Sequence, residues 1–83
     1  MKLELFYYDS CPFCQYVLGA IDDLAIKVEY CNIQESQEHL NRLVTDTGRR
    51  TVPCLYINNT PMFESSDIVE WLNNNQSNLE KKA

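Results

Sequence analysis

Residues 3–8, LELFYY, alternate apolar and polar positions and then turn wholly apolar, which predicts a strand. Asp9 and Ser10 break it. Pro12 follows where a helix can open with proline at its first position. From there Phe13, Val17, Leu18, Ile21, Leu24 and Ala25 recur at helical spacing. Residues 26–31, IKVEYC, alternate again and predict a second strand. Residues 35–46 carry Leu40, Leu43 and Val44 on one stripe, with Gly48 behind them as a helix stop. Residues 53–57, PCLYI, predict a third strand. Asn58-Asn59 suits a two-residue hairpin turn, because asparagine tolerates positive φ. Pro61-Met62-Phe63 is then a short edge strand. Ser65 or Ser66 is expected to cap a last helix, with Asp67 in its first turn, where the helix dipole favours negative charge. Ile68, Val69, Trp71 and Leu72 give that helix its apolar side.

The order is β-α-β-α-β-β-α. A first β-α-β unit with a short helix implies parallel pairing and a right-handed crossover. The later hairpin adds an antiparallel pair. The expected class is α/β, a four-stranded mixed sheet flanked by three helices. At 83 residues the chain makes a single domain, 1–83, with a modest core. Its polar, amide-rich end is expected to be a flexible tail from about residue 77 to residue 83.

Charge narrows the partners. Seven Lys and Arg against twelve Asp and Glu give a net charge of -5. An acidic domain repels phosphate backbones, so no nucleic-acid partner is expected. No run approaches the roughly 20 apolar residues of a membrane span. The N-terminus lacks the apolar stretch and cleavage site of a signal peptide. The chain therefore reads as cytoplasmic, with no membrane partner.

Four cysteines change the picture. In a reducing compartment disulfides are rare unless they are catalytic. Cys11-Pro12-Phe13-Cys14 sets two thiols two residues apart at a predicted helix start. Cys11 lies just ahead of the first turn, where free N–H groups and the helix dipole favour negative charge. The thiolate is the nucleophilic form. Cys14, one turn in, suits resolution of a mixed disulfide on Cys11. A zinc site competes, but Cys31 and Cys54 stand alone in predicted strands, and His39 fits no common ligand spacing. A structural disulfide within one helical turn would constrain little chain. No metal is expected. Cys31 and Cys54 read as small buried hydrophobes. His39 reads as a solvated helix residue and Trp71 as core. Tyr7, Tyr16, Tyr30 and Tyr56 read as packing residues with their hydroxyls toward water.

Two further segments are expected to face the thiols. Thr51-Val52-Pro53 opens the third strand, and a cis Val52-Pro53 bond would leave the Val52 backbone free to pair with an extended peptide. Glu64-Ser65-Ser66-Asp67 sets hydroxyls and N–H groups at a helix start, which receives a carboxylate, beside acids that receive an ammonium. A free α-amino acid end carries both groups.

CPFC, TGRRTVP and the SSD of FESSDIVEWL, in this order across nearly the whole chain, resemble the glutaredoxin family. The resemblance implies a thioredoxin-like fold with cis Pro53. It also implies an enzyme, a glutathione-dependent thiol–disulfide oxidoreductase. Such an enzyme reduces disulfide-containing or glutathionylated proteins and takes glutathione as reducing co-substrate with no bound cofactor. Carried over, Cys11 is the nucleophile and Cys14 the resolving thiol. Thr51, Val52 and Pro53 would meet the glutathione cysteine. Ser66 and Asp67, with Ser65 beside them, would meet its γ-glutamyl end. Phe13 and Tyr8 would flank the ligand.

The chain also departs from that family. Tyr8 stands where many members have lysine, so binding of the glycine carboxylate falls to the helix terminus, the Tyr8 hydroxyl, Arg49 or Arg50. Phe63-Glu64 stands where many have two glycines. Glu64-Ser65 after Val-Pro is similar to the glutathione-binding half of glutathione S-transferases. Two rival readings follow. One is a transferase-like domain that conjugates glutathione to an electrophile. The other is a glutathione-bridged iron–sulfur carrier, against which Pro12 speaks. A monomer is expected, because the site needs no second chain.

Overall fold

Alternation in the strands sorts their side chains into two layers. A computed structural model describes residues 1–82. Its elements are β1 (Leu3–Tyr7), α1 (Pro12–Leu24), β2 (Glu29–Asn32), α2 (Gln37–Thr47), β3 (Cys54–Ile57), β4 (Thr60–Met62) and α3 (Ser65–Asn75), followed by a 3-10 turn at Gln76–Asn78. The sheet order is β2-β1-β3-β4. β1 pairs parallel with β2 and antiparallel with β3, and β3 pairs antiparallel with β4. This is the mixed four-stranded sheet with three helices of a thioredoxin-like α/β fold.

Leu3, Leu5 and Leu55 point to one face and bury against Val17 and Ile21 of α1 and Ile68 and Leu72 of α3. Phe6, Cys54 and Tyr56 point to the other, with Cys31 of β2, and meet Leu43 of α2. The helical stripes read from sequence thus find their sheet faces. Leu43 carries the α2 contact, while Val44 is exposed. The hairpin turn is as expected, with Asn58 and Asn59 at φ 48° and 72°. Gly48 ends α2 at φ 76° and donates its N–H to the Val44 carbonyl at 2.8 Å.

Two expectations are corrected. β2 starts at Glu29, not at residue 26, because the chain there pairs elsewhere. Ala25 turns left-handed (φ 53°), and Ile26 bridges Lys81. The tail is not free. Lys27 N–H donates to the Glu80 carbonyl at 2.9 Å and Lys82 N–H to the Ala25 carbonyl at 2.8 Å. Leu79 buries in the core beside Ile26 and Val28. Residue 83, part of that expected tail, lies outside the described residues.

Glu4 is the unexpected member of the α2 face. Its side chain is 5% exposed and takes both guanidinium nitrogens of Arg42, at 2.6 and 3.2 Å. The Arg42 guanidinium lies over the Tyr56 ring, 4.6 Å from its centroid, and 3.6 Å from Asp46. The Tyr56 hydroxyl donates to Asp46 at 3.0 Å. The expectation that this hydroxyl meets water is therefore corrected: Tyr56 is fully buried and finds a carboxylate instead. Tyr16, expected to pack, is 56% exposed, because α1 turns that face away from the sheet. His39 is half-buried, 6.0 Å from the Phe6 ring centroid.

Candidate functional site

Register places three loops at one end of the sheet. Phe6 pairs with Cys54, so the start of β3 lies beside the end of β1. Leu55 pairs with Met62, so the end of β4 lies next to the start of β3. The β1–α1 loop carries Cys11, the α2–β3 loop carries Thr51-Val52-Pro53, and the β4–α3 loop leads into Ser65-Ser66-Asp67. The segments singled out in the sequence therefore emerge together at this end.

Cys11 is the N-cap of α1, with extended backbone (φ −81°, ψ 114°) and Pro12 in the first turn. Its Sγ accepts the Cys14 N–H at 3.2 Å, and its own N–H donates to the Tyr8 carbonyl at 3.3 Å. A sulfur that accepts a helix N-terminal N–H sits where negative charge is stabilised. Cys14 lies behind it, fully buried. Burial, and then its hydrogen bond to Cys11, push the Cys14 thiol up to about 12. The two cysteines are thus unlike: Cys11 caps the helix, and Cys14 holds its proton.

Phe13 is 66% exposed on the first turn of α1, and Pro12 is exposed beside it. Thr51 is exposed, Val52 half-buried and Pro53 buried. The Val52-Pro53 bond is cis. Val52 lies outside the strand ladder, which begins at the Phe6–Cys54 pair. Tyr8 is half-buried.

The cap of α3 is corrected. Glu64, not a serine, is the N-cap, at φ 70° and ψ 115° and without a side-chain cap bond. Ser65 and Ser66 open the helix, and Asp67 lies in its first turn as expected. Both serine hydroxyls and the first N–H groups are left without that cap. Phe63 packs on the Phe6–Tyr56 cluster, with the Arg49 guanidinium 3.9 Å from its ring centroid. That stack escaped the sequence reading, since nothing local joins the two residues.

Cys31 and Cys54 are register partners of Phe6 on its two sides. Two strand spacings separate them by roughly 10 Å, beyond disulfide reach. Burial pushes Cys31 up to about 11 and Cys54 up to about 12. Because Cys11 is the thiol at a helix N-cap, iodoacetamide at pH 8 is expected to modify the folded protein at Cys11 first, with Cys14, Cys31 and Cys54 unlabelled over the first equivalent. Peptide mapping checks this, and first-equivalent label on Cys54 would contradict it.

The family described as glutathione S-transferase, N-terminal domain, matches residues 5–80. No curated protein sequence matches the chain. Among solved structures, the fold is similar to an epsilon-class glutathione S-transferase from the housefly Musca domestica. The TM-score is 0.74 at 22% identity, over 90% of this chain and 35% of that one. It is also similar to a wheat glutaredoxin, with TM-score 0.72 and 22% identity over 98% of this chain and 84% of that one. A trimeric glutathione transferase from Leishmania gives TM-score 0.74 and 27% identity over 89% of this chain and 17% of that one. The chain thus spans about a third, or less, of the transferases named here, and most of the glutaredoxin.

Proposed function

The chain belongs to the glutathione S-transferase N-terminal domain family, and on that footing we propose that it is a glutathione-dependent thiol–disulfide oxidoreductase of glutaredoxin type. The observation that carries the reading is the geometry of the thiol pair: Cys11 caps α1 and its Sγ accepts the Cys14 N–H, with both sulfurs buried and Cys14 one turn behind. A transferase that only orients glutathione has no use for the second thiol.

Cys11 thiolate attacks the glutathione sulfur of a mixed disulfide. A Cys11–glutathione disulfide forms, the protein–glutathione bond breaks, and the released protein thiolate takes a proton. A second glutathione thiolate then attacks the Cys11-bound glutathione sulfur. Oxidised glutathione leaves and Cys11 thiolate returns. For a protein disulfide, Cys11 thiolate attacks one substrate sulfur and releases the other as a thiolate. Cys14 then gives up its proton and attacks Cys11, which frees the first substrate sulfur and closes a Cys11–Cys14 disulfide. Two glutathiones reopen it. Val52 lies outside the strand ladder, which supports a role for its backbone in pairing with the glutathionyl group. The N-terminus of α3, Ser65-Ser66-Asp67, supports binding of the γ-glutamyl end. Thr51, Tyr8 and Phe13 complete the binding surface. In this reading the protein is a monomeric, cytoplasmic, single-domain reductase of disulfide-containing or glutathionylated proteins.

The second reading is glutathione conjugation, which the family match favours. One assay pair separates them. Reduction of a small glutathione mixed disulfide, coupled to glutathione reductase and NADPH, is expected to turn over. Conjugation of a chlorodinitrobenzene-type electrophile is expected to stay at background. Conjugation without reduction would reverse the assignment.

A further inference from the structure

The two loops that would hold the two ends of glutathione meet at one contact. Arg49 lies on the α2–β3 loop just before Thr51-Val52-Pro53. Phe63 lies just before Glu64 and α3. The Arg49 guanidinium carbon is 3.9 Å from the Phe63 ring centroid, close for a cation–π stack. Neither end is loose at its root. Thr47 Oγ1 accepts the Arg49 N–H at 3.3 Å and donates to the Leu43 carbonyl at 2.7 Å, which ties the arginine backbone to the last turn of α2. Phe63 and Val52 both pack on the cluster of Phe6, Cys54 and Tyr56. The next residue, Glu64, sits at φ 70°, a region a side chain rarely adopts unless its neighbours hold it there. No side-chain cap fixes that residue.

Among the described residues most other cations are engaged away from this end of the sheet. Lys2 and Arg42 meet Glu4, Lys27 meets Glu80, and Lys82 meets Asp22. Arg49 is in no such ion pair and instead spends its guanidinium on a ring.

We propose that the Arg49–Phe63 stack is a clasp that positions the α2–β3 and β4–α3 loops relative to each other and so sets the affinity of the site for the glutathionyl group. Arg49 and Phe63 are positioning residues and touch no reacting atom. The inference rests on the oxidoreductase reading above. It further assigns Phe63, which stands in place of a flexible glycine, a role in pre-organising the site.

The test is steady-state reduction of a glutathionylated peptide by wild type, Phe63→Leu, Phe63→Tyr, Arg49→Ala and the Phe63→Leu/Arg49→Ala double variant, each checked for folding by circular dichroism. Phe63→Leu and Arg49→Ala are each expected to raise KM about 3- to 10-fold with kcat within about 2-fold. Phe63→Tyr, which keeps the π face, is expected to restore KM. The double variant is expected to be no worse than the weaker single variant. Arg49 is exposed, so Arg49→Ala keeps the test open if Phe63→Leu fails to fold. An unchanged KM in Arg49→Ala overturns the clasp. So does full additivity, which would make Arg49 a direct charge contact independent of the ring. Absence of turnover in wild type instead removes the oxidoreductase reading, and the clasp with it.

Discussion

Cys11→Ser is expected to lower glutathione-dependent reduction of a small mixed disulfide by at least about 10³-fold, and Cys14→Ser to leave it within a few-fold of wild type. The geometry gives the reason for the difference. Cys11 Sγ is the sulfur that receives a helix N-terminal N–H, from Cys14 at 3.2 Å. A serine hydroxyl at that position is a far weaker nucleophile and cannot form the mixed disulfide. Cys14 is fully buried behind Cys11, and burial pushes its thiol up to about 12. Reduction of a glutathione mixed disulfide needs only the first sulfur, because free glutathione completes the cycle. Reduction of an intramolecular protein disulfide needs both, and Cys14→Ser is expected to trap a covalent enzyme–substrate disulfide there. The N–H donated to Cys11 comes from the backbone, so Cys14→Ser leaves that bond in place. Equal loss in the two single variants would count against the scheme. Coupled turnover and mass spectrometry of the trapped species provide both readouts.

Arg42→Ala is expected to destabilise the fold by about 2–3 kcal/mol, a fall of about 10–20 °C in midpoint for a domain of this size. Removal of one partner of a buried ion pair costs more than the pair contributes, because the survivor keeps its desolvation. Glu4 would be that survivor, 5% exposed in the middle of the α2 face. The value falls at or below the lower end of the usual range of about 3–5 kcal/mol because the Arg42 side chain is 35% exposed and Lys2 lies 4.0 Å from Glu4. Asp46 would also lose the guanidinium 3.6 Å from it, and the Tyr56 ring the cation over its face. A cost below about 0.5 kcal/mol in urea unfolding would show the pair to be dispensable.

The same pair predicts acid sensitivity. The hydrogen bond from Arg42 outweighs burial and holds the Glu4 carboxyl below its ordinary 4.5. As pH falls the unfolded chain binds the proton first. The contribution of Glu4 is therefore complete above about pH 4.5 and is lost as pH drops through the lower folded value. Glu4→Gln is expected to be less stable than wild type at neutral pH and to show a shallower loss below pH 4.5. Parallel stability–pH curves would contradict this.

Sequence was most informative where a signal is carried by a few neighbouring residues. Proline one residue after Cys11, apolar spacing along 13–25 and paired asparagines at a turn act through backbone preference, and each element formed where expected. The two-residue spacing of the thiols likewise sets Cys11 as cap and Cys14 one turn in, whatever the rest of the chain does. The boundaries shifted where distant chain intervened. Residues 26–28 have strand alternation, yet the C-terminal segment claims part of their hydrogen bonding. Ser65 and Ser66 have capping chemistry, yet they open α3 and Glu64 is the residue at its cap.

What the sequence alone determined is the order of elements, the apolar faces and the placement of Cys11 and Cys14 at the start of α1, because these depend on local periodicity and local backbone preference. What the tertiary structure decided is which loops share an end of the sheet, and which charges pair. Glu4 and Arg42 are 38 positions apart. Arg49 and Phe63 lie on separate loops, and their stack exists only because β3 and β4 share a register that sets both loops beside Cys54. Such contacts are specified by the sum of packing over the whole sheet, and no short segment carries their signal.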